Sequence, residues 1–366
     1  MLKTPLYEKH LALGAQMAPF GGWTMPIQYA GILAEHAHTR EKVSVFDICH
    51  MGEFTLQVDP LTSGFDRLMT QNITTMPFGS CRYGFMLNQA GGILDDLIVY
   101  RIDKTRWMLV VNAATIEKDF THLKENLASG AVIENVSERM GKLDVQGPLS
   151  QEVLKGIFGP QLLELKYYHF AEFKVLGQSC LVSRTGYTGE LGYEIYIAAD
   201  YVGELWDLLL KDSRIKPAGL GARDTLRLEM SYPLYGQDLD TAHSPWEAGL
   251  QRFVDFSKDF IGKEALIKQQ NVGSGKHLIC FKADSRRSPR HGFAIFDAGK
   301  KIGEVTSGSF SPSLGVGIGM GYVAGALAAG TPLTVKQDAV EIAVKIVTRP
   351  FVNKTSLSVK AQTSKT

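Results

Sequence analysis

Apolar and polar residues alternate along this chain in short blocks, and the period switches between two and about three and a half. Glu53–Val58 alternates as a strand, Asp59-Pro60 breaks it, and Phe65, Leu68 and Met69 follow at helical spacing. Tyr83–Leu87 and Ile93–Ile102 read as strands joined through a Gly91-Gly92 turn, with Trp107–Val111 as the next strand. Ile116, Phe120, Leu123 and Leu127 mark one face of a helix, and Ala131–Val136 predicts a closing strand. Further on, the pattern predicts helices over Pro148–Ile157, Tyr201–Lys211 and Ala222–Glu229, and strands within Phe173–Arg184 and Tyr193–Ile197. Ser244-Pro245-Trp246-Glu247 has the form of a capping box with Pro at the first helical position, a structural feature. Val272-Gly273-Ser274-Gly275 reads as a linker. Beyond it, short strands with turns at Ala298-Gly299, Gly308 and Gly315 predict a small antiparallel β barrel or roll.

A chain of 366 residues is too long for one ordinary core, so two or three domains are expected. The strand–helix–strands–helix–strand order that begins at Glu53 resembles the split βαβ, ferredoxin-like arrangement. The first ~50 residues and the stretch from Lys142 to Thr241 flank it as two pieces of one further domain. Lys and Arg number 39 against 38 Asp and Glu, so the net charge of +1 gives no reason to expect nucleic acid as main partner. The opening residues, MLKTPLYEKHLALG, carry no apolar signal segment, and no apolar run is long enough for a membrane span. Cys49, Cys81, Cys180 and Cys280 lie far apart and form no CxxC, which fits free thiols in a cytoplasmic protein. His36 and His38, two residues apart on a predicted helix, point away from each other, so no metal site is expected there.

Eight segments, in order along nearly the whole chain, resemble the glycine cleavage T-protein family. They are Thr4–Tyr7, Phe20–Pro26, Val45–Gly52, Gly91–Tyr100, Arg184–Glu190, Gly219–Asp224, Leu234–Asp238 and Thr306–Gly308. Any one alone is weak; eight in register are specific. Cys49 departs from the Ser of many relatives. The resemblance implies an α+β, three-domain folate-binding aminomethyltransferase fold with a ferredoxin-like middle domain and a C-terminal β barrel, arranged around a central folate channel. The implied division is 1–52 with 138–244, 53–137 with 245–274, and 275–366. The implied reaction moves the methylene of an aminomethyl group, carried on the lipoyl arm of the H-protein, to tetrahydrofolate, releasing ammonia and dihydrolipoyl carrier. Other glycine cleavage components are then indirect partners. No metal is required.

Such a reaction needs a slot for a flat pterin, a group that helps N5 react, and a channel for the arm. Asp95 and Asp96 follow the Gly-Gly turn inside an apolar run, and neighbours on a strand face opposite sides. Leu94, Asp96, Ile98 and Tyr100 then share a face. Residue pattern alone favours two hairpin-capping acids; the family places its essential acid on the second Asp, so Asp96 is expected to be catalytic and Asp95 a bystander. Asn112 reads equally as the N-cap of the following helix and, by resemblance, as a folate neighbour. Glu194 reads as a solvated strand acid or, by resemblance, as the acceptor of paired pterin hydrogen bonds. Arg223 pairs with Asp224 or Glu229, or by resemblance meets folate. Tyr187, in the Gly-rich loop before Glu194, offers stacking or a hydrogen bond. That loop lacks the order of a phosphate loop. Tyr83, Tyr100, Tyr167, Tyr168 and Tyr232 are aromatic lining candidates.

Arg286, Arg287 and Arg290 form a basic loop, solvated or a contact for an acidic carrier. Two other readings are a folate-dependent demethylase of a small substrate and a folate-binding iron–sulfur assembly factor. The first fits poorly with the match of residues 1–52, and the second lacks its reactive-Cys signature. Ser356–Thr366, rich in Ser, Thr and Lys, is expected to fray.

Overall fold

The N-terminal segment contributes a layer of its own. In the computed structural model, which describes residues 1–358, strands β1 (Leu2–Lys3), β2 (Gln16–Phe20) and β3 (Trp23–Gln28) form a sheet in the order β1-β3-β2, with helix α1 (Tyr7–Ala12) between. His10 of α1 is buried between the Asp47 carboxylate at 2.8 Å and the Tyr29 hydroxyl at 2.9 Å. This pins the layer to β4 (Val43–Asp47), which follows helix α2 (Ile32–Glu41).

The next sheet comes from β5 (Gly52–Gln57), α3 (Phe65–Leu68), β6 (Ser80–Leu87), β7 (Ile93–Arg101), β8 (Arg106–Val111), α4 (Ile116–Asn126) and β9 (Val132–Asn135). Its antiparallel order is β6-β7-β8-β5-β9. Without the edge strand β6 this is the ferredoxin-like order expected from the sequence. Phe54, Leu56, Leu97, Val99, Leu109 and Val111 pack with Phe65 and Leu123 into one core. Period-two alternation therefore sends Glu53, Asp96, Ile98 and Val110 to the other face.

A second, six-stranded sheet joins β4 to β10 (Met140–Gln146), β11 (Phe170–Val175), β12 (Gln178–Ser183), β13 (Gly192–Ala198) and β14 (Ile215–Pro217), in the order β11-β12-β13-β10-β4-β14. Leu143, Val145, Val182, Ile195 and Ile197 face helices α5 (Ser150–Phe158) and α6 (Ala199–Leu210). Helix α6 buries Val202, Leu205, Trp206 and Leu209, the spacing of an amphipathic helix on a core. The alternate positions of the sheet, Lys142, Asp144, Gln146 and Glu194, are polar, yet all are buried. They are buried because this face meets the Asp96 face of the first sheet: Tyr100 bonds Tyr196 at 2.8 Å and Ser183 at 3.1 Å across the junction.

Helix α7 (Leu220–Glu229) packs Ala222 and Leu226 on Phe46 and Ile48, and helix α8 (Lys263–Val272) ends at Gly273 in the left-handed region. The barrel is closed: β15 (Lys276–Ala283), β16 (Ala294–Asp297), β17 (Lys300–Ser311), β18 (Val316–Ala324), β19 (Pro332–Gln337) and β20 (Val340–Val347) run in the order β15-β18-β17-β16-β19-β20, and β20 pairs back on β15. Polar bonds fasten it to α7. Asp238 accepts from Arg227 and Ser307, each at 2.8 Å. Glu229 accepts from Arg40 at 2.9 Å and from the Ser311 hydroxyl at 2.6 Å.

One expectation needs correction here. The reciprocal bonds of the Ser244–Glu247 box form, at 2.9 and 3.2 Å, but no helix follows, because the chain turns at Gly249 with φ +68°. The tail expected to fray begins with Ser356 held by Glu190; residues 359–366 lie outside the described residues. Among the described residues no helix is long and apolar enough to cross a membrane.

Candidate active site

Asp96 stands where the two sheets face each other. The Gly91-Gly92 turn fixes its register. A Cβ on Gly92 would lie 1.9 Å from the Thr241 carbonyl oxygen, so only glycine lets the hairpin tuck under that segment. The Ile93 amide then donates to the carbonyls of Asp240 and His243. Along β7, Ile93, Asp95, Leu97 and Val99 are buried while Leu94, Asp96 and Ile98 are partly open, as the alternation requires.

The Tyr83 hydroxyl donates to Asp96 Oδ2 at 2.8 Å, and Asn112 Nδ2 donates to Asp96 Oδ1, also at 2.8 Å. Burial, and next the Asp95 charge, push the Asp96 carboxyl up to about 7; the Tyr83 and Asn112 bonds only moderate the rise. Asn112 does not cap α4, whose N-cap is Thr115. Its side-chain amide donates instead to the two acids, charge-assisted bonds that outweigh accepting from a helix N–H. Asp95 points to the other face of the strand. It is fully buried and accepts from the Asn112 amide at 3.0 Å and from Nδ2 at 2.8 Å. Burial and the neighbouring Asp119 hold its carboxyl well above the usual range.

The opposite wall belongs to the second sheet. Glu194 on β13 accepts from the Thr185 hydroxyl at 2.5 Å and lies 3.4 Å from Lys142 Nζ. Burial would raise its pKa, but Lys142, Thr185 and Arg223 outweigh burial and hold it below the ordinary value. It is therefore a buried carboxylate, not the solvated strand acid of the plain pattern. Arg223 pairs with neither Asp224 nor Glu229; its guanidinium bonds Asp144, and those two acids pair with Arg227 and Arg40. The Arg223 guanidinium also sits 5.0 Å from the centroid of the Tyr187 ring, which stacks on Tyr232 at 5.7 Å.

A cleft of about 300 Å³ opens beside Tyr83 and is lined by Ser80, Arg82, Tyr168, His169 and Phe253. Tyr168 takes a left-handed φ of +58° and packs edge-on against Tyr167 at 4.7 Å. Tyr100 is a correction. It is completely buried in the junction and backs the wall without lining it. Lys142, Asp144, Glu53 and Phe253 also belong to this constellation but were not singled out in the sequence. A signal existed for three of them. Lys142, Asp144 and Gln146 alternate with Leu143 and Val145, and Glu53 opens an otherwise apolar alternation, which together mark sheet faces too polar for a core.

The basic loop is exposed at Arg286, Arg287 and Arg290. It lies against the barrel through Gly308, where a Cβ would come 2.4 Å from the Pro289 carbonyl oxygen. His36 bonds Thr225 and His38 bonds the Arg214 carbonyl. Among the described residues no group of three or more His, Cys, Asp and Glu could hold a metal.

Residues 6–258 match the GCVT N-terminal domain and residues 276–353 the glycine cleavage T-protein C-terminal barrel domain. The aminomethyltransferase of Halothermothrix orenii is 45% identical over 88% of this chain and 92% of its own. That of Pseudothermotoga lettingae is 42% identical over 96% and 98%. The crystal structure of glycine cleavage system aminomethyltransferase T from Bartonella henselae superposes with a TM-score of 0.90 at 34% identity, covering 96% of this chain and 98% of that one. Matches of this extent over both parts of the chain leave one assignment: it belongs to the glycine cleavage T-protein family.

Proposed function

We propose that this chain is a tetrahydrofolate-dependent aminomethyltransferase of the glycine cleavage system, with Asp96 as its catalytic residue. The observation that carries the reading is a carboxyl held between Tyr83 and Asn112, on the open face of a buried strand, with its pKa pushed up to about 7. In the reaction, the carbon on the lipoyl sulfur forms bonds to N5 and N10 of tetrahydrofolate and loses its bonds to sulfur and to the amino nitrogen. The two folate N–H protons end on the sulfur and on the departing ammonia. A carboxyl poised near neutrality is matched to carrying such a proton. Glu194 fits the pterin edge as an ionised acceptor, Arg223 and Tyr187 stand beside it, and Tyr83, Tyr168 and Tyr232 offer aromatic walls.

The acceptor is tetrahydrofolate, bound as substrate, and the donor is the lipoylated H-protein; neither step calls for a metal. The exposed arginines of the barrel loop suit an acidic carrier. Sheet membership supports joining 1–52 with 138–244 and setting 53–137 and 275–366 apart, and the Arg67–Asp259 and Lys258–Asp66 pairs support placing 245–274 with 53–137. Four free, buried cysteines suit a cytoplasmic protein.

The test is direct. Wild-type chain, given aminomethylated carrier, should release ammonia fast with tetrahydrofolate and slowly without it, and the Asp96→Asn variant should lose the folate-dependent part. Folate-independent ammonia release at the full rate would sink the proposal.

A further inference from the structure

Lys142 is one of the largest fully buried side chains of the chain, with only 1% of its surface exposed. A buried lysine is rare unless it is paired. Its Nζ lies 3.4 Å from Glu194 Oε1, 3.6 Å from Met51 Sδ and 5.0 Å above the Tyr196 ring. Glu194 is its ion-pair partner, and the other two contacts are a weak acceptor and a π face. Register places it there: Lys142 stands opposite Tyr196 and Asp144 opposite Glu194 on neighbouring strands. Across the junction, Glu53 of β5 is also buried, and its Oε1 has no hydrogen-bond partner.

We propose that Lys142 is a positioning residue for folate recognition: its ammonium holds Glu194 as an oriented carboxylate, the form that can accept two hydrogen bonds from the pterin edge. This rests on the reading of Glu194 as the pterin acceptor. Without Lys142, three acids would share the junction with Arg223 alone, and that guanidinium is already bonded to Asp144. The groups facing Glu194 are Lys142 and Asp144 from β10, Arg223 from α7, Glu53 from β5, the Cys81 thiol from β6, Thr185 from the loop, and the phenols of Tyr196, Tyr100 and Tyr168. Burial pushes Glu53 up to about 8, so it is mostly protonated near neutrality and does not compete fully for the ammonium, and Asp144 is already bonded to Arg223.

The experiment is calorimetric binding of 5-formyltetrahydrofolate at pH 6 and pH 8 to five full-length proteins. These are wild type, Lys142→Arg, Lys142→Met, Glu194→Gln and the Lys142→Met/Glu194→Gln double variant. Losing the ammonium raises the Glu194 pKa, so the carboxyl takes up a proton as pH falls and affinity goes with it. The ratio of Lys142→Met to wild-type Kd should be larger at pH 6 than at pH 8, by up to about tenfold for each pH unit below the raised pKa. In the Glu194→Gln background the same change should be independent of pH, and Lys142→Arg should follow wild type. An equal loss at both pH values overturns the proposal. If Glu194→Gln binds like wild type, the pterin reading itself fails, separately. Should Lys142→Met not fold while the double variant does, the stranded Glu194 charge is the cause and the pairing stands. If neither folds, the ammonium serves the sheet and the proposal falls.

Discussion

The Tyr83 hydroxyl and the Asn112 amide grip the two oxygens of Asp96 from opposite sides, each at 2.8 Å, so the carboxyl cannot rotate without breaking one bond. A proton acceptor fixed in this way has its orientation settled before substrate arrives. Asp96→Asn keeps the shape and removes the base, and should lower kcat by about 10² or more with folding intact. Tyr83→Phe frees one oxygen and should cost less, about 10-fold in kcat, by the scale of one hydrogen bond to a charged group. Rapid-quench measurement under saturating folate decides between them. Equal losses would mean that Tyr83 itself moves the proton.

The rate should depend on pH through the same group. The Asp96 pKa lies about 7, and the base is the ionised form. The first-order pH profile of kcat/KM should therefore rise from pH 6 to pH 8 and level off above, with the apparent pKa belonging to the interacting acids together. The Asp96→Asn variant should lose this limb; a limb that persists assigns it to another group.

Asp95→Asn is expected to be damaging in a different way. The carboxyl is fully buried, shares Asn112 with Asp96, and has Asp119 beside it. Replacing one acid of the pair with an amide removes a like charge near Asp96. The limb of the pH profile should shift to lower pH, and stability should change by about 1–3 kcal/mol, the scale for altering a buried hydrogen-bond group. Urea titration together with the pH profile checks both. An unshifted limb would show that the Asp95 charge does not reach Asp96.

Arg287→Ala with Arg290→Ala should raise KM for the carrier and flatten its salt dependence, because contact between opposite charges mainly speeds association and is screened by salt. Folate affinity should not change. An unchanged salt slope removes the loop from the interface.

Glu229 ties α2, α7 and the barrel together, accepting from Arg40, Ser311 and Ser313, with His36 at 3.2 Å. Burial raises its pKa, but His36, Arg40 and Ser311 outweigh this and bring it down to about 2. A carboxyl lowered on folding stabilises the fold above its unfolded pKa, and this is lost as pH falls through the folded value. The contribution, on the order of 3 kcal/mol from a shift of this size, should disappear between about pH 4.5 and pH 2. Wild type and Glu229→Gln should differ in denaturation midpoint at pH 6, and the gap should narrow steadily as pH falls toward 2. A constant gap would refute the linkage.

Much of this was legible in the sequence, because period-two alternation and glycine turns are local. The ferredoxin-like order, the barrel, and the face shared by Leu94, Asp96 and Ile98 follow from such patterns. What the pattern could not give was pairing between distant segments. Asn112 looks like a cap in a one-dimensional reading, yet it serves β7 across the sheet. Arg223 looks bound to its own helix, yet its partner Asp144 is 79 residues earlier. Tyr100 looks like lining, because sequence does not reveal that a second sheet closes over it. The Ser244 box gave its two bonds but no helix, since capping chemistry is local and the fate of the following turn is set by Gly249.

The loop that presents Tyr187 is clamped at its far end by Ser356, whose amide donates to Glu190 at 2.9 Å and whose hydroxyl accepts from the Leu191 amide at 2.8 Å, 165 positions away in the chain. Synthesis runs from the N-terminus, and domains fold as they emerge. Both sheets can therefore be made and paired while this clamp is still untranslated. The Tyr187 loop is clamped only after the barrel strands and Ser356 have been made, so a growing chain holds both sheets before this contact can form.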